Sequence, residues 1–198
     1  MSRIAVVDNH GQFTHLEGRA LRDLGIEAEI VDNETPPGEV RADGFVLSGG
    51  PDMARTGRCA EYLTDGRPVL GICLGHQIMA AELGGEVASG DYGGYADVTV
   101  RILDGDDPLV GSLAPETRTW ASHADEGVAV PPGFVRTAES DVCDVEAMSD
   151  VDRGLFGVQW HPEVAHTAEG EAVFEAFVEV CRAHAASEAE ASAESGGI

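Results

Sequence analysis

The sequence predicts an α/β fold: a doubly wound, mostly parallel sheet flanked by helices, with a more β-rich second half. Three observations carry this. Short apolar runs alternate with segments of helical period through the first 83 residues. Two of those runs end in glycine-rich corners, at Ser48–Pro51 and around Cys73. Beyond residue 95 the runs shorten and Gly, Pro and Asp separate them. Strand and helix in strict alternation build a parallel sheet, and sites on such sheets lie at the carboxyl ends of strands.

Arg3–Asp8 (RIAVVD) reads as the first strand, an apolar run closed by a carboxylate. Phe13, Leu16, Ala20, Leu21 and Leu24 repeat at helical spacing, and Gly25 stops that helix. Glu27–Val31 is the second strand, Pro36-Pro37-Gly38 a loop, and Gly44–Leu47 the third strand. A helix is expected over Arg58–Thr64. A strand from Val69 to Ile72 then leads into a helix carrying Ile78, Met79 and Leu83. In the second half, Ala96–Leu103, Arg118–Ser122, Phe134–Glu139, Val145–Met148 and Gly154–Gln159 are the expected strands. A last helix is expected from about Ala168 to Ala185, with Val173, Phe174, Phe177, Val178 and Cys181 on one face. Residues 1–185 form one domain; 186–198 (ASEAEASAESGGI) lack large apolar groups until the end and predict an acidic disordered tail.

Composition removes several classes of function. The net charge is −24 and all 12 basic residues are arginine. Without lysine there is no P-loop lysine and no Schiff base. The negative field argues against nucleic acid and anionic lipid as partners. Acidity spread over the whole chain predicts a halophilic surface, because concentrated salt screens like charges. No apolar run reaches the length of a membrane span. The four cysteines, Cys59, Cys73, Cys143 and Cys181, form no C-x-x-C pair. With no secretory signal at the start, they read as reduced thiols of a cytoplasmic protein. His10, His76, His123 and His166 show no metal-ligand spacing, so no metal is expected.

The chemistry centres on Gly71-Ile72-Cys73-Leu74-Gly75. This is the G-x-nucleophile-x-G pattern of a strand-to-helix elbow, with Cys as the nucleophile. A cysteine nucleophile needs a base and a group to orient it. Gln159-Trp160-His161-Pro162-Glu163 supplies both. Pro162 pushes His161 toward extended geometry, where residues two apart share a side. His161 and Glu163 then lie together. The Leu74 N–H and the Gly49-Gly50 turn offer donors for an oxyanion.

Together, Gly71-Ile-Cys73-Leu-Gly75-His-Gln77, Ser48-Gly-Gly-Pro51 and His161-Pro-Glu163 resemble the class I (triad) glutamine amidotransferases, over residues 3 to about 184. The resemblance implies a flavodoxin-like fold, glutamine as nitrogen donor and a Cys73–His161–Glu163 triad. It implies a γ-glutamyl thioester on Cys73 and oxyanion N–H groups from Leu74 and Gly50. Gly49, Gln77, Ser122 and His123 are the implied substrate contacts. Asp8–Thr14 (DNHGQFT), Trp120–Glu126 (WASHADE) and His161–Thr167 (HPEVAHT) are similar to the separately encoded glutaminase subunits of archaeal GMP synthases. Trp160 departs from the more usual Phe. That branch implies no cofactor on this chain. A separate ATP-pyrophosphatase subunit carries ATP and Mg²⁺ and aminates xanthosine 5′-monophosphate (XMP). Asp125, Glu126, His166 and Thr167 are the implied contacts with it.

Three rival readings stand beside this one. The acceptor could instead belong to anthranilate or aminodeoxychorismate synthesis, which HPEVAHT argues against. A stand-alone γ-glutamyl cysteine hydrolase would need no partner. A regulatory subunit could keep the fold without the chemistry, but it would not need a complete triad.

Overall fold

The computed structural model describes residues 2–195; for residues 90–96, 123, 124 and 193–195 it describes the backbone alone. Strands β1 (Arg3–Asp8), β2 (Glu27–Asp32), β3 (Gly44–Leu47), β4 (Val69–Ile72) and β9 (Leu155–Val158) are parallel, in the order β2-β1-β3-β4-β9. The sheet continues antiparallel through β8 (Ala147–Asp150), β7 (Val135–Glu139), β5 (Glu86–Ile102) and β6 (Glu116–Ala129). This is the doubly wound, mostly parallel sheet with a β-rich second half that the sequence predicts. The chain leaves β1 for β2 on one side and returns to β3 on the other. The carboxyl ends of β1, β3, β4 and β9 therefore share one edge, next to the point where the winding reverses.

Side-chain alternation divides the core between the two faces. Ile4 and Val6 of β1 join one apolar cluster with Leu70, Phe156, Phe174 and Phe177, while Ala5 and Val7 join the other with Phe45, Tyr62, Ile78 and Met79. A period of two in strands buried on both faces produces this split. Helices α1 (Thr14–Asp23) and α4 (Gly170–Ser195) serve the first cluster. Helices α2 (Cys59–Tyr62) and α3 (Leu74–Glu82) serve the second. Cys59, Cys143 and Cys181 are buried free thiols, and burial pushes Cys59 and Cys181 up to about 12. Their place is in the packing.

Several boundaries differ from the sequence reading. The helix expected over Arg58–Thr64 is the single turn α2. Strands β5 and β6 are far longer than the stretches 96–103 and 118–122; Gly90, Gly93 and Gly94 in β5 and Gly127 in β6 interrupt the apolar pattern by which a strand is read from sequence. The largest correction concerns the tail. Residues 186–195 continue α4 instead of forming a disordered segment, and Ala186–Ser192 are exposed along it. Ala and Glu dominate this stretch, and both are strong helix formers that need no apolar stripe to extend an existing helix. Residues 196–198 lie outside the described set. Among the described residues no helix is long and apolar enough to cross a membrane.

Candidate active site

Cys73 sits where β4 becomes α3, with φ +52° and ψ −104°. A non-glycine residue there is strained, and the turn throws its side chain off the sheet edge. The glycines on either side are steric necessities. A Cβ on Gly71 would lie 2.6 Å from the Gly75 carbonyl, and one on Gly75 would collide with the Leu47 carbonyl oxygen. The elbow is pinned by the Cys73 N–H, which donates to the Val158 carbonyl at 2.9 Å. The first α-helical bond closes from the Gln77 N–H to the Cys73 carbonyl at 3.1 Å. The N–H of Leu74 thus belongs to the open first turn of α3, whose donors point outward.

His161 and Glu163 follow β9. The imidazole Nδ1 lies 2.6 Å from Glu163 Oε1, and Cys73 is within hydrogen-bonding reach of the ring. Burial by itself would lower the imidazole pKa. The bonds and charges of Cys73 and Glu163 outweigh it and push His161 up to about 10. At neutral pH the ring carries both protons. Phe13 packs edge-on against it, with centroids 5.2 Å apart. The backbone is fixed as well: the His161 N–H donates to the Trp120 carbonyl at 3.1 Å, and the His161 carbonyl accepts from the Thr167 hydroxyl at 2.6 Å.

These groups open onto a cavity of about 400 Å³. Gly49, Gly50, Cys73, Leu74, Gln77, Ser122, Asp125 and His161 all line it, so most of the sequence-predicted site residues converge. The Ser122 carbonyl lies 3.8 Å from Cys73 Sγ. Gln77 is more committed than the resemblance implies. Its amide nitrogen donates to the Asp125 carbonyl at 2.6 Å and to Gln159 Oε1 at 3.2 Å. The side chain of His123 lies outside the described set.

The four implied partner contacts separate. Asp125 lines the cavity, and its carboxylate accepts from the Ser89 hydroxyl at 3.0 Å. His166 is exposed and stacks on Trp120 at 5.0 Å. Glu126, one residue along from Asp125, is half-buried and does not line the cavity; it lies near Glu146 and Cys143, whose pKa values are raised by burial and to a lesser degree by its charge. Successive strand residues point to opposite faces. Thr167 is buried, its hydroxyl donating to His161 and accepting from the Trp120 N–H at 3.0 Å. A buried hydroxyl used on both sides is a brace for His161 and not a docking contact.

The sequence reading gives three contributors no role in the site. Gln159 donates to Cys73 Sγ at 3.8 Å, and the same two-residue alternation that pairs His161 with Glu163 could have found it. The loop His10–Phe13 forms one wall of the cavity. It is folded by Asp8, whose Oδ1 accepts from the His10 N–H at 2.8 Å and the Thr14 hydroxyl at 2.9 Å. Glu17 of α1 also lines the cavity and is fully buried. Nothing in its local sequence separates it from a solvated helix glutamate.

The family model described as glutamine amidotransferase class-I matches residues 5–181. The chain is 70% identical over 182 residues to the A-subunit of the glutamine-hydrolyzing GMP synthase of Halobacterium salinarum, covering 91% of this chain and all of that one. It is 50% identical over 183 residues to the protein of the same name from Methanosarcina barkeri, covering 90% and 96%. A crystal structure described as a GMP synthase A-subunit protein of Thermoplasma acidophilum superposes with a TM-score of 0.90 at 34% identity, covering 95% of this chain and 98% of that one. A glutamine amidotransferase of Thermotoga maritima shares the fold, with a TM-score of 0.67 at 20% identity over 82% and 76% of the two chains.

Proposed function

Because the chain belongs to the class-I glutamine amidotransferases, we infer that it is the glutaminase subunit of a two-subunit, cytoplasmic GMP synthase. The single observation that carries the chemistry is the convergence of Cys73 and His161 on one cavity, with an elbow behind the sulfur and the Glu163 carboxylate behind the imidazole.

The reaction follows from these positions. The Cys73 sulfur, paired with a doubly protonated His161, attacks the glutamine carboxamide carbon. Charge moves to the former carbonyl oxygen, where the Leu74 N–H and the Gly50 N–H serve as donors. His161 gives its proton to the leaving nitrogen, and ammonia departs from a γ-glutamyl thioester. His161 then takes a proton from water as the water attacks the thioester. Glutamate leaves and the sulfur is restored. Glu163 keeps the ring oriented and stabilises its positive form throughout. Gly49, Gln77 and Ser122 frame the substrate, and Asp125 and His166 border the face offered to the partner.

None of these steps needs a cofactor on this chain. ATP, Mg²⁺ and XMP belong to a separate ATP-pyrophosphatase subunit, which consumes the ammonia. The test is steady-state glutamine hydrolysis by the chain alone, then with that partner, ATP and XMP, in molar salt. We expect the loaded partner to raise the rate by at least about tenfold, mostly in kcat. Full activity without a partner would favour the stand-alone hydrolase. Stimulation by a chorismate-using partner instead would move the chain to the anthranilate branch.

A further inference from the structure

Glu17 is a carboxyl where an aliphatic side chain would be cheaper to bury. The inward stripe of α1 is Thr14, Glu17, Gly18 and Leu21, and Glu17 lies in the middle of it, 0% exposed. Its Oε1 accepts from the Gly49 N–H at 3.4 Å, and its Oε2 has no hydrogen-bond partner among the described residues. Glu163, His161 and Asp8 are its charged neighbours. Burial, and then the negative charge of Glu163, hold its pKa well above the ordinary range.

Gly49 is the residue this acid grips, and Gly49 occupies a critical place. A Cβ there would lie 3.0 Å from His161 Cε1 and 3.6 Å from Cys73 Cβ, so its backbone runs directly beside both catalytic side chains. Glycine would let the two flanking peptides rotate freely. Both are held instead. Glu17 holds the N–H, and the Ser48 hydroxyl donates to the Gly49 carbonyl at 3.0 Å. Ser48 is itself braced by the Asn9 N–H at 2.9 Å.

We propose that Glu17 is a positioning residue for glutamine hydrolysis, fixing the Gly49 backbone through its N–H so that the Gly50 N–H stays aimed at the developing oxyanion. This rests on Gly50 being an oxyanion donor, as in the proposed function. Outright loss of one oxyanion donor typically costs about 10²–10³ in rate. Releasing one of the two ties on Gly49 blurs the donor without removing it, so a smaller loss, about 10–50-fold, is expected, in kcat and not in KM.

The experiment compares wild type with Glu17→Leu, Glu17→Asp and Glu17→Gln, assayed with the ATP- and XMP-loaded synthetase subunit in molar salt. Leucine fills the space without an acceptor. Aspartate keeps the acid but is one methylene too short to reach Gly49. Glutamine supplies an oxygen to Gly49 and fills the same space with an uncharged amide. The expected result is a 10–50-fold fall in kcat for Leu and Asp, an unchanged KM, and rescue to within about threefold by Gln. Alkylation of Cys73 by iodoacetamide, which forms no oxyanion, should proceed at the wild-type rate in all of them. If Glu17→Leu does not fold, the Asp and Gln pair carries the test. Equal kcat for Gln and the shorter or apolar variants overturns the proposal, as does a parallel loss of iodoacetamide reactivity. A wild-type chain inactive on glutamine under every condition rejects the functional reading itself and the proposal with it.

Discussion

His161 lies in surroundings that would by themselves keep an imidazole neutral, and two neighbours reverse that. With Cys73 on one side and Glu163 on the other, its pKa stands near 10. The ring therefore stays ready to protonate the leaving nitrogen across the physiological range. We expect kcat/KM for glutamine to hold level up to about pH 9 and to fall as pH passes through about 10, where the ring loses the proton it must donate. A pH-rate profile checks this; an alkaline limb near pH 7 would contradict it. Substitutions should sort by role. Cys73→Ala removes the nucleophile and abolishes hydrolysis with the fold intact, since the elbow accepts a smaller side chain. His161→Ala should be nearly as severe. Glu163→Gln should be milder, because it removes charge and leaves the base. Glutaminase assays beside circular dichroism decide all three; substantial activity in Cys73→Ala would remove Cys73 from the role.

At the scale of elements, the connection between β7 and β8 holds a second buried acid. Glu146 immediately precedes β8 and is fully buried. It accepts from the Ser140 hydroxyl at 2.7 Å, while burial, aided by the charge of Glu126, raises it to about 7. A carboxyl raised in the folded state binds its proton more tightly there than in the unfolded chain. The contribution of Glu146 to stability is therefore fully present below the unfolded value near 4.5 and is lost as pH rises through about 7. The shift corresponds to a loss of about 3 kcal/mol. Glu146→Gln keeps an acceptor for Ser140 and removes the charge. It should raise the unfolding midpoint at pH 8 and flatten the decline between pH 4.5 and 7 in denaturant titrations. A variant with the wild-type slope would place the pH dependence elsewhere.

Across the whole molecule, 36 acidic side chains face 12 arginines. The ion pairs that exist, such as Arg3–Glu27, Arg58–Glu61 and Arg118–Asp97, are largely exposed and individually weak. Repulsion among the remaining carboxylates then acts over the entire surface. The Debye length falls from about 10 Å at 0.1 M salt to about 3 Å at 1 M. Thermal stability should rise steeply between those concentrations, and scanning calorimetry in KCl measures it. A melting temperature insensitive to salt would mean that the acidity serves another purpose.

Much of this protein was written locally. The alternation of apolar runs and helical period placed the parallel strands, because burial on both faces of a sheet leaves a continuous apolar signature. Gly71 and Gly75 marked the elbow because only glycine tolerates backbone approaching that closely. His161 and Glu163 declared themselves by Pro162 and a spacing of two. What the sequence could not decide depends on which distant segments meet. Glu17 looks like any solvated helix glutamate until α1 packs its inward stripe against Gly49. Thr167 ends a motif that suggests an outer surface, yet β6 closes over it and turns it into the brace of His161. Glu126 and Asp125 alternate faces as any strand neighbours do, and only the folded sheet shows that the Asp125 face is the one that borders the cavity. A buried polar group draws its role from its partners, and only the folded chain chooses those.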